Sequence, residues 1–392
     1  MKKKILFMLT SMNIGGVEKS FLSLLSTIPK EKYDITLLLL ERKGGFLEYI
    51  PPGIKVEETT WFSRVKQIIM QPPQQTVRNL MYNKKILKIV NFINVYFISK
   101  FFNNRYLYYK NVLKDVPNNP VEYDIAISYQ GPTDIIDYYI AKKVNAKRKI
   151  SWVHFDVSKH RINEKLYKKL YQNYEKIFVV SNQGKDKLIE KVPTITNKTE
   201  VFMNIIPKDV IIEMSKMPIE FDNNYKGLRI VTVGRLSKEK GQDLAIKVLS
   251  RLRSEGYEVR WYCIGEGNDR GEYERLIQIY GLKEDFLLIG ASPNPYPYIQ
   301  QSDIYVQTSR HEGYCLTLAE AKCLLKPIVT TNFIGAFEQI QDGYNGFIAH
   351  CSEEEIYKKI QYLIENKNMR QRLRINLIKE SFIQSEQLQR FF

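Results

Sequence analysis

Short apolar runs of strand length recur along this chain, most of them followed by a stretch with helical apolar spacing. In the first half they are Ile5–Thr10, Tyr33–Leu40, Tyr123–Tyr129, Arg148–His154 and Lys176–Val180, with Val201–Pro207 closing the series. The rhythm restarts at Arg229–Val233 and continues through Glu258–Ile264, Phe286–Ile289, Ile304–Gln307, Ile328–Thr331 and Gly346–Ala349. Helix-length connections suit parallel pairing, so the pattern predicts an α/β chain with doubly wound parallel sheets. At 392 residues the chain is too long for one ordinary core, and two such domains are expected. Their predicted bounds are 1–205 and 206–375, with Asp209–Tyr225 as the connection and a C-terminal helix over 376–392 returning to the first domain.

Charge separates the halves. Residues 1–200 hold 34 Lys and Arg against 18 Asp and Glu, whereas residues 201–392 hold 25 of each. A basic half faces something anionic. Much of the excess falls in residues 61–115, where ten Lys and Arg meet the single acid Asp115 among many aromatic residues, and Pro72-Pro73 divides two helical patterns. A basic, aromatic, amphipathic insertion suits an anionic membrane surface; ordinary packed helices with a solvated basic face are the plainer reading. Nucleic acid is not expected, because no nucleic-acid-reading motif accompanies the charge. Four cysteines (Cys263, Cys315, Cys323, Cys351) at unrelated spacings read as reduced core thiols of a cytoplasmic protein. Lys2-Lys3-Lys4 before Ile-Leu-Phe-Met-Leu imitates a signal peptide, but the run breaks at Thr10-Ser11, so a buried first strand is expected. No uncharged run reaches the ~18 residues of a membrane span.

The residues that carry chemistry sit at strand ends. Gly15-Gly16 follows the first strand, where backbone could approach a phosphate closely. His154 ends a central strand, a usual place for ligands, although a lone His more often satisfies a local hydrogen bond. Gly234-Arg-Leu-Ser-Lys-Glu-Lys-Gly241 offers two cations, Arg235 and Lys240, in a Gly-bounded loop that could clamp a diphosphate. It lacks Walker spacing, and Gly265-Glu-Gly267 is too short for a dinucleotide fingerprint. Glu312 lies in a turn and Glu320 in the helix-forming run that follows. Taken singly, each Glu reads as a solvated residue. Beside a helix start able to hold an anion, the pair would accept hydroxyl hydrogen bonds, and phosphate plus hydroxyls describes a nucleotide sugar.

In their order and spacing, Gly15-Gly16, the 234–241 loop, Ile-Gly-Glu-Gly at 264–267 and Glu312-x7-Glu320 resemble the retaining glycosyltransferases of family four. The resemblance implies the GT-B fold, two Rossmann-like domains facing across a cleft, with an acceptor-side domain first and a nucleotide-sugar domain second. It implies that Arg235 and Lys240 bind the donor diphosphate, and that the helix start at Cys315, Leu316 and Thr317 holds phosphate and sugar. Glu312 would take sugar hydroxyls and Glu320 the ribose, Gly16 would close on the phosphate, and His154 would lie beside the transferred sugar. The backbone near Ala291 and Ser292 would meet the base. The first loop reads Gly-Gly-Val-Glu-Lys where Gly-Gly-Ala-Glu-Arg is commoner, and the segment from Asn332 lacks a second glycine, which leaves Glu338 unassigned.

The implied reaction is metal-independent transfer, with retention, of a hexose or N-acetylhexosamine from a UDP-sugar, or a GDP-sugar, to a saccharide or lipid-linked, phosphorylated glycan. No cofactor is expected beyond the nucleotide-sugar substrate, and the chain contains no Asp-x-Asp triplet. The setting implied is capsule, O-antigen or teichoic-acid-type polysaccharide synthesis at the inner face of the cell membrane. Two alternatives stay open at this point: a nucleotide-sugar epimerase of the same fold, and a non-catalytic basic protein binding anionic glycan or nucleic acid.

Overall fold

The computed structural model describes residues 2–82, 86–155, 157, 162–219, 221 and 225–380. The chain divides into two compact units, Met1–Met203 and Asn204–Phe392. Among the described residues the first unit holds a seven-stranded parallel sheet: β1 (Lys3–Leu9), β2 (Tyr33–Leu39), β3 (Lys55–Glu58), β4 (Glu122–Gly131), β5 (Asn145–Val153), β6 (Lys176–Val179) and β7 (Thr199–Val201), in the order β3-β2-β1-β4-β5-β6-β7. The second holds six parallel strands: β8 (Leu228–Val233), β9 (Val259–Ile264), β10 (Phe286–Gly290), β11 (Ile304–Gln307), β12 (Ile328–Thr331) and β13 (Phe347–Ala349), in the order β10-β9-β8-β11-β12-β13.

The central strands are covered on both faces, so burial runs along them without alternation. Ile5 to Leu9 of β1 are all buried, as are all four residues of β11 and of β12. The strand order reverses between β1 and β4 in one sheet and between β8 and β11 in the other. At such a point the connections leave on opposite faces, and a crevice opens beyond the carboxyl ends of the two strands.

Between β3 and β4 run four helices, Phe62–Met70, Pro73–Tyr82, Ile86–Phe101 and Arg105–Val112, interrupted at the proline pair as expected. Trp61, Phe62, Val65 and Tyr109 tie this insertion into the first core. Ser181 caps the helix Asn182–Lys191 by accepting a hydrogen bond from the Gly184 N–H at 3.1 Å.

In the connection over 209–225 the helix Lys208–Ser215 buries Ile211 in the core under β8, because its apolar face needs cover. One expectation, that all four cysteines are core thiols, is corrected: Cys351 is exposed, whereas Cys263, Cys315 and Cys323 are buried thiols. The helix Lys367–Lys379 seats Leu373 in the second core. The remainder of the predicted C-terminal helix, 381–392, lies outside the described residues. No described helix is long and apolar enough to cross a membrane.

Candidate functional site

The loops leaving β8 and β11 meet at the second sheet's reversal point. After β8 the chain passes Gly234 and Arg235 and makes a short helical turn ending at Lys240. Gly241 then starts the helix Gln242–Ser254 from a left-handed backbone at φ +72°. A Cβ at Gly241 would collide with the Thr308 carbonyl oxygen, so only glycine lets this loop lie against the one after β11. The contact brings together two residues distant in sequence: Lys240 Nζ donates to Glu312 Oε1 at 2.6 Å.

Burial works against the Lys240 charge, but the charge of Glu312 and the hydrogen bond to it hold the ammonium above its usual range. Glu312 Oε1 also accepts from Ser309 Oγ at 3.0 Å, while Oε2 makes no hydrogen bond among the described residues. Arg235 is exposed and makes no ion pair among the described residues. Its carbonyl oxygen accepts from Gln242 Nε2 at 2.9 Å, which fastens the loop to the helix behind it.

The helix Leu316–Cys323 begins beside this pair. Its N-cap, Cys315, has a left-handed backbone (φ +62°) and no capping side-chain hydrogen bond. A non-glycine residue in that region costs energy and points to a functional constraint. The outcome is a bare helix end: the N–H groups of Leu316 and Thr317 make no hydrogen bond among the described residues. They leave a partly positive surface for an anion. Thr317 Oγ1 lies 3.4 Å from Gln307 Oε1, and Gln307 Nε2 reaches Ser309 Oγ at 2.8 Å. One chain of hydrogen bonds therefore joins Thr317, Gln307, Ser309, Glu312 and Lys240.

Several supporting residues carry no sequence signal. Arg310 forks onto Asp243 at 2.8 and 2.7 Å and clips the Glu312 loop to the helix after Lys240. Thr331 on β12 donates to the carbonyls of Gln307 and Ser309, and Gln339 donates to those of Tyr314 and Cys315. A Cβ at Gly335 would strike the Gly313 carbonyl, so the helix Ile334–Gln339 presses directly on the turn before Cys315.

Glu320 is buried, not on the helix surface, and accepts from Tyr296 O–H at 3.3 Å. Ser292 lies on the loop after β10, where its Oγ accepts from Asn294 N–H at 3.2 Å. No hydrogen bond joins it directly to the Lys240 cluster among the described residues. Tyr296, four residues on, is the residue that bonds Glu320. Among the described residues no three His, Cys, Asp or Glu side chains come together as a metal cluster.

In the first unit, Gly16 opens the helix Gly16–Thr27, and His154 follows β5 with its N–H donating to the Gly131 carbonyl at 2.9 Å. The imidazole packs 4.7 Å from the Tyr129 ring, whose hydroxyl lies 2.9 Å from Ser20 Oγ on that same helix. Burial drives the His154 pKa down to about 3, so the ring is neutral near pH 7. Its buried Nε2 has no hydrogen-bond partner among the described residues. A cavity of about 540 Å³ lies at the carboxyl ends of β1, β2 and β4, walled by the insertion helices through Phe62, Ile69, Met70, Arg105 and Tyr109. Its ionic groups are paired: Arg105 with Asp134 at 2.8 Å and Lys43 with Glu41 at 3.0 Å.

Residues 216–380 match the family model for glycosyl transferases group 1. A Campylobacter jejuni N-acetylgalactosamine-N,N'-diacetylbacillosaminyl-diphospho-undecaprenol 4-alpha-N-acetylgalactosaminyltransferase is 26% identical over 211 residues, covering 53% of this chain and 56% of that protein. The Staphylococcus aureus capsular polysaccharide biosynthesis glycosyltransferase CapM is 29% identical over 145 residues, covering 36% and 37%. The chain spans about half the length of the curated relatives it matches. Among solved structures, Anabaena Alr3699/HepE in complex with UDP and glucose superposes with a TM-score of 0.69 at 18% identity, over 99% of this chain and 95% of that one. An S. aureus TarM mutant in complex with Fondaparinux, alpha-GlcNAc-glycerol and UDP gives 0.68 at 15% identity, over 99% of both.

Proposed function

We propose that this chain is a retaining transferase of UDP-activated sugar; the match of residues 216–380 to the glycosyl transferases group 1 model and the GT-B likeness of the fold support the reading. It moves a hexose or N-acetylhexosamine to a lipid-linked, phosphorylated saccharide at an anionic membrane surface, in bacterial surface-glycan synthesis. The carrying observation is the Lys240–Glu312 contact beside the bare start of helix Leu316–Cys323, at the reversal point of the second sheet.

Each group has a task in the step. As the bond between the sugar's anomeric carbon and the β-phosphate oxygen breaks, negative charge gathers on the leaving diphosphate. Arg235, Lys240 and the N–H groups of Leu316 and Thr317 stabilise that charge, and a site prearranged for it lowers the barrier rather than merely binding substrate. The unoccupied Oε2 of Glu312 accepts a sugar hydroxyl. Glu320, oriented by Tyr296, accepts ribose hydroxyls. The acceptor oxygen forms the new bond on the face the diphosphate leaves, and its proton passes to a phosphate oxygen. Gly16 lets the loop after β1 approach a phosphate, His154 offers an uncharged ring to the saccharide, and the backbone at Ser292 meets uracil.

The cavity of the first unit supports assigning the acceptor there. Its size falls within the range of ligand pockets, and its paired charges with apolar walls suit a hydroxyl-bearing ring better than a free anion. UDP stands in the names of both solved neighbours, and a diphospho-undecaprenol group stands in the name of the C. jejuni relative.

A thermal-shift panel of UDP-, GDP- and ADP-sugars tests the donor, since a ligand of the native state raises stability as RT ln(1 + [L]/Kd). UDP-sugars are expected to raise the midpoint most. No rise with any nucleotide sugar would overturn the reading, and a product with inverted anomeric configuration by NMR would overturn retention.

A further inference from the structure

The insertion between β3 and β4 carries an outward apolar face left uncovered among the described residues. Among the described residues, ten of the twenty-two exposed large apolar side chains lie between Met70 and Phe102. Six of them, Ile86, Leu87, Val90, Phe97, Ile98 and Phe101, belong to the helix Ile86–Phe101, with Leu87 87% and Phe101 84% exposed. At about 100° per residue these six fall within an arc of about 120°. Phe92 and Ser99, which are buried, sit opposite. The stripe is therefore the helix's outer face, not a frayed inner one.

Lysines flank it. Lys100 projects about 40° beyond one edge of the stripe and Lys88 about 80° beyond the other. Arg78, on the neighbouring helix Pro73–Tyr82, is exposed as well. Lys88 reaches Asp115, the single acid of residues 61–115, at 3.3 Å, and Arg78 and Lys100 make no ion pair among the described residues. A stripe of this size in water disfavours the isolated molecule and calls for an occupant.

We infer that the helix Ile86–Phe101 is the face by which this protein docks on an anionic lipid bilayer. Its apolar stripe enters the acyl boundary while Lys88, Lys100 and Arg78 meet the headgroups. Charge decides between occupants: Arg78 and Lys100, exposed and without an ion pair among the described residues, with Lys88 beside them, would repel a second copy of the same face but attract an acidic surface. Length decides the mode. Sixteen residues span about 24 Å, short of the hydrocarbon core, so the helix lies in the interface and does not cross. The same insertion supplies Ile69 and Met70 to the cavity at the carboxyl ends of β1, β2 and β4, and Met70 is itself 67% exposed. Docking would thus bring the rim of that cavity to the lipid surface. This last step rests on the lipid-linked acceptor reading; the docking face does not.

Flotation of the full chain with vesicles of equal parts phosphatidylglycerol and phosphatidylcholine, against phosphatidylcholine alone, tests it. The wild type should float with the first and not with the second, with binding weakened by salt. Leu87→Ser/Phe97→Ser/Phe101→Ser should lower the partition constant by about 100- to 1,000-fold, at roughly tenfold per buried side chain. Arg78→Gln/Lys100→Gln should lower it by about tenfold and flatten the salt dependence. An unchanged melting temperature and an unchanged thermal shift with UDP show that the variants are folded. Flotation of the triple variant like the wild type overturns the proposal. So does a wild-type dimer that fails to float and that the triple substitution turns into monomers. A protein that does not float yet transfers sugar to a soluble acceptor refutes docking and leaves the transferase reading standing. One that floats but consumes no nucleotide sugar does the reverse.

Discussion

Glu312→Gln should separate donor binding from turnover. Lys240 is neutralised by Glu312 at 2.6 Å, with the two side chains only 20% and 13% exposed. Two unit charges about 4 Å apart at an effective dielectric of about 20 attract by about 4 kcal/mol before desolvation is set against it. A diphosphate arriving at Lys240 must compete with that carboxylate. Glutamine keeps the shape and a hydrogen-bonding oxygen but removes the charge, so the competition weakens. The expected gain is about 1–2 kcal/mol, or roughly 5–30-fold tighter UDP binding. Turnover should move the other way, because a charged acceptor for the sugar hydroxyl is lost; about 1.5–3 kcal/mol corresponds to a fall in kcat of about 10–150-fold. Calorimetric titration with UDP reads the first quantity and steady-state transfer the second. Lys240→Met supplies the control: it should weaken UDP, and adding Glu312→Gln to it should give little further gain. Weaker UDP binding in Glu312→Gln, or the same gain with and without Lys240, would refute the reasoning.

Other outcomes follow from the same structure. Gly241→Ala forces a Cβ onto the Thr308 carbonyl at a left-handed backbone, and should cost about 2–4 kcal/mol, read as a lower urea midpoint. Tyr296→Phe removes the hydroxyl donated to Glu320 and should weaken UDP about fivefold, with kcat little changed. His154 binds its proton near pH 3 when folded and near pH 6.5 when unfolded, so the unfolded chain holds more protons between those values and acid destabilises the native state. Urea melts from pH 6 to pH 4 should therefore fall less steeply for His154→Asn than for wild type, by up to about 1.4 kcal/mol per pH unit. An identical slope in the two proteins would show that the ring is not held neutral by burial.

The parallel-sheet organisation was legible because a strand buried on both faces is largely apolar along its length, as Ile5–Leu9 is. β3 was not. Lys55–Glu58 sits at the sheet edge with its outer side to solvent, and Val56 is its one apolar residue. The site was half legible. Gly-bounded cations and a carboxylate at strand ends can be read from sequence, since loops at a reversal point are where α/β sheets place ligands. That Lys240 touches Glu312 cannot, because 72 residues separate them and tertiary contacts, at Gly241 and through Arg310, draw the two loops together. Arg310 and Asp243 show why such partners escape notice: singly, each reads as one more solvated charge. Cys315 gives no warning of its left-handed backbone, since that conformation favours Gly and Asn. The insertion was legible in its basic, aromatic composition but not in its orientation. Leu87, Phe97 and Phe101 look like core residues by type, and only their exposure shows the stripe facing outward.

The central claim is that a diphosphate is gripped by Arg235, Lys240 and the start of helix Leu316–Cys323. Comparing UDP with uridine by calorimetry, in wild type and in Arg235→Met/Lys240→Met, tests it most directly. Each charge-assisted bond to phosphate is worth about 1.5–3 kcal/mol, so UDP should bind the wild type at least about 100-fold more tightly than uridine, and the double substitution should erase most of that margin. Equal binding of UDP and uridine by the wild type, or a margin that survives the loss of both cations, would contradict it.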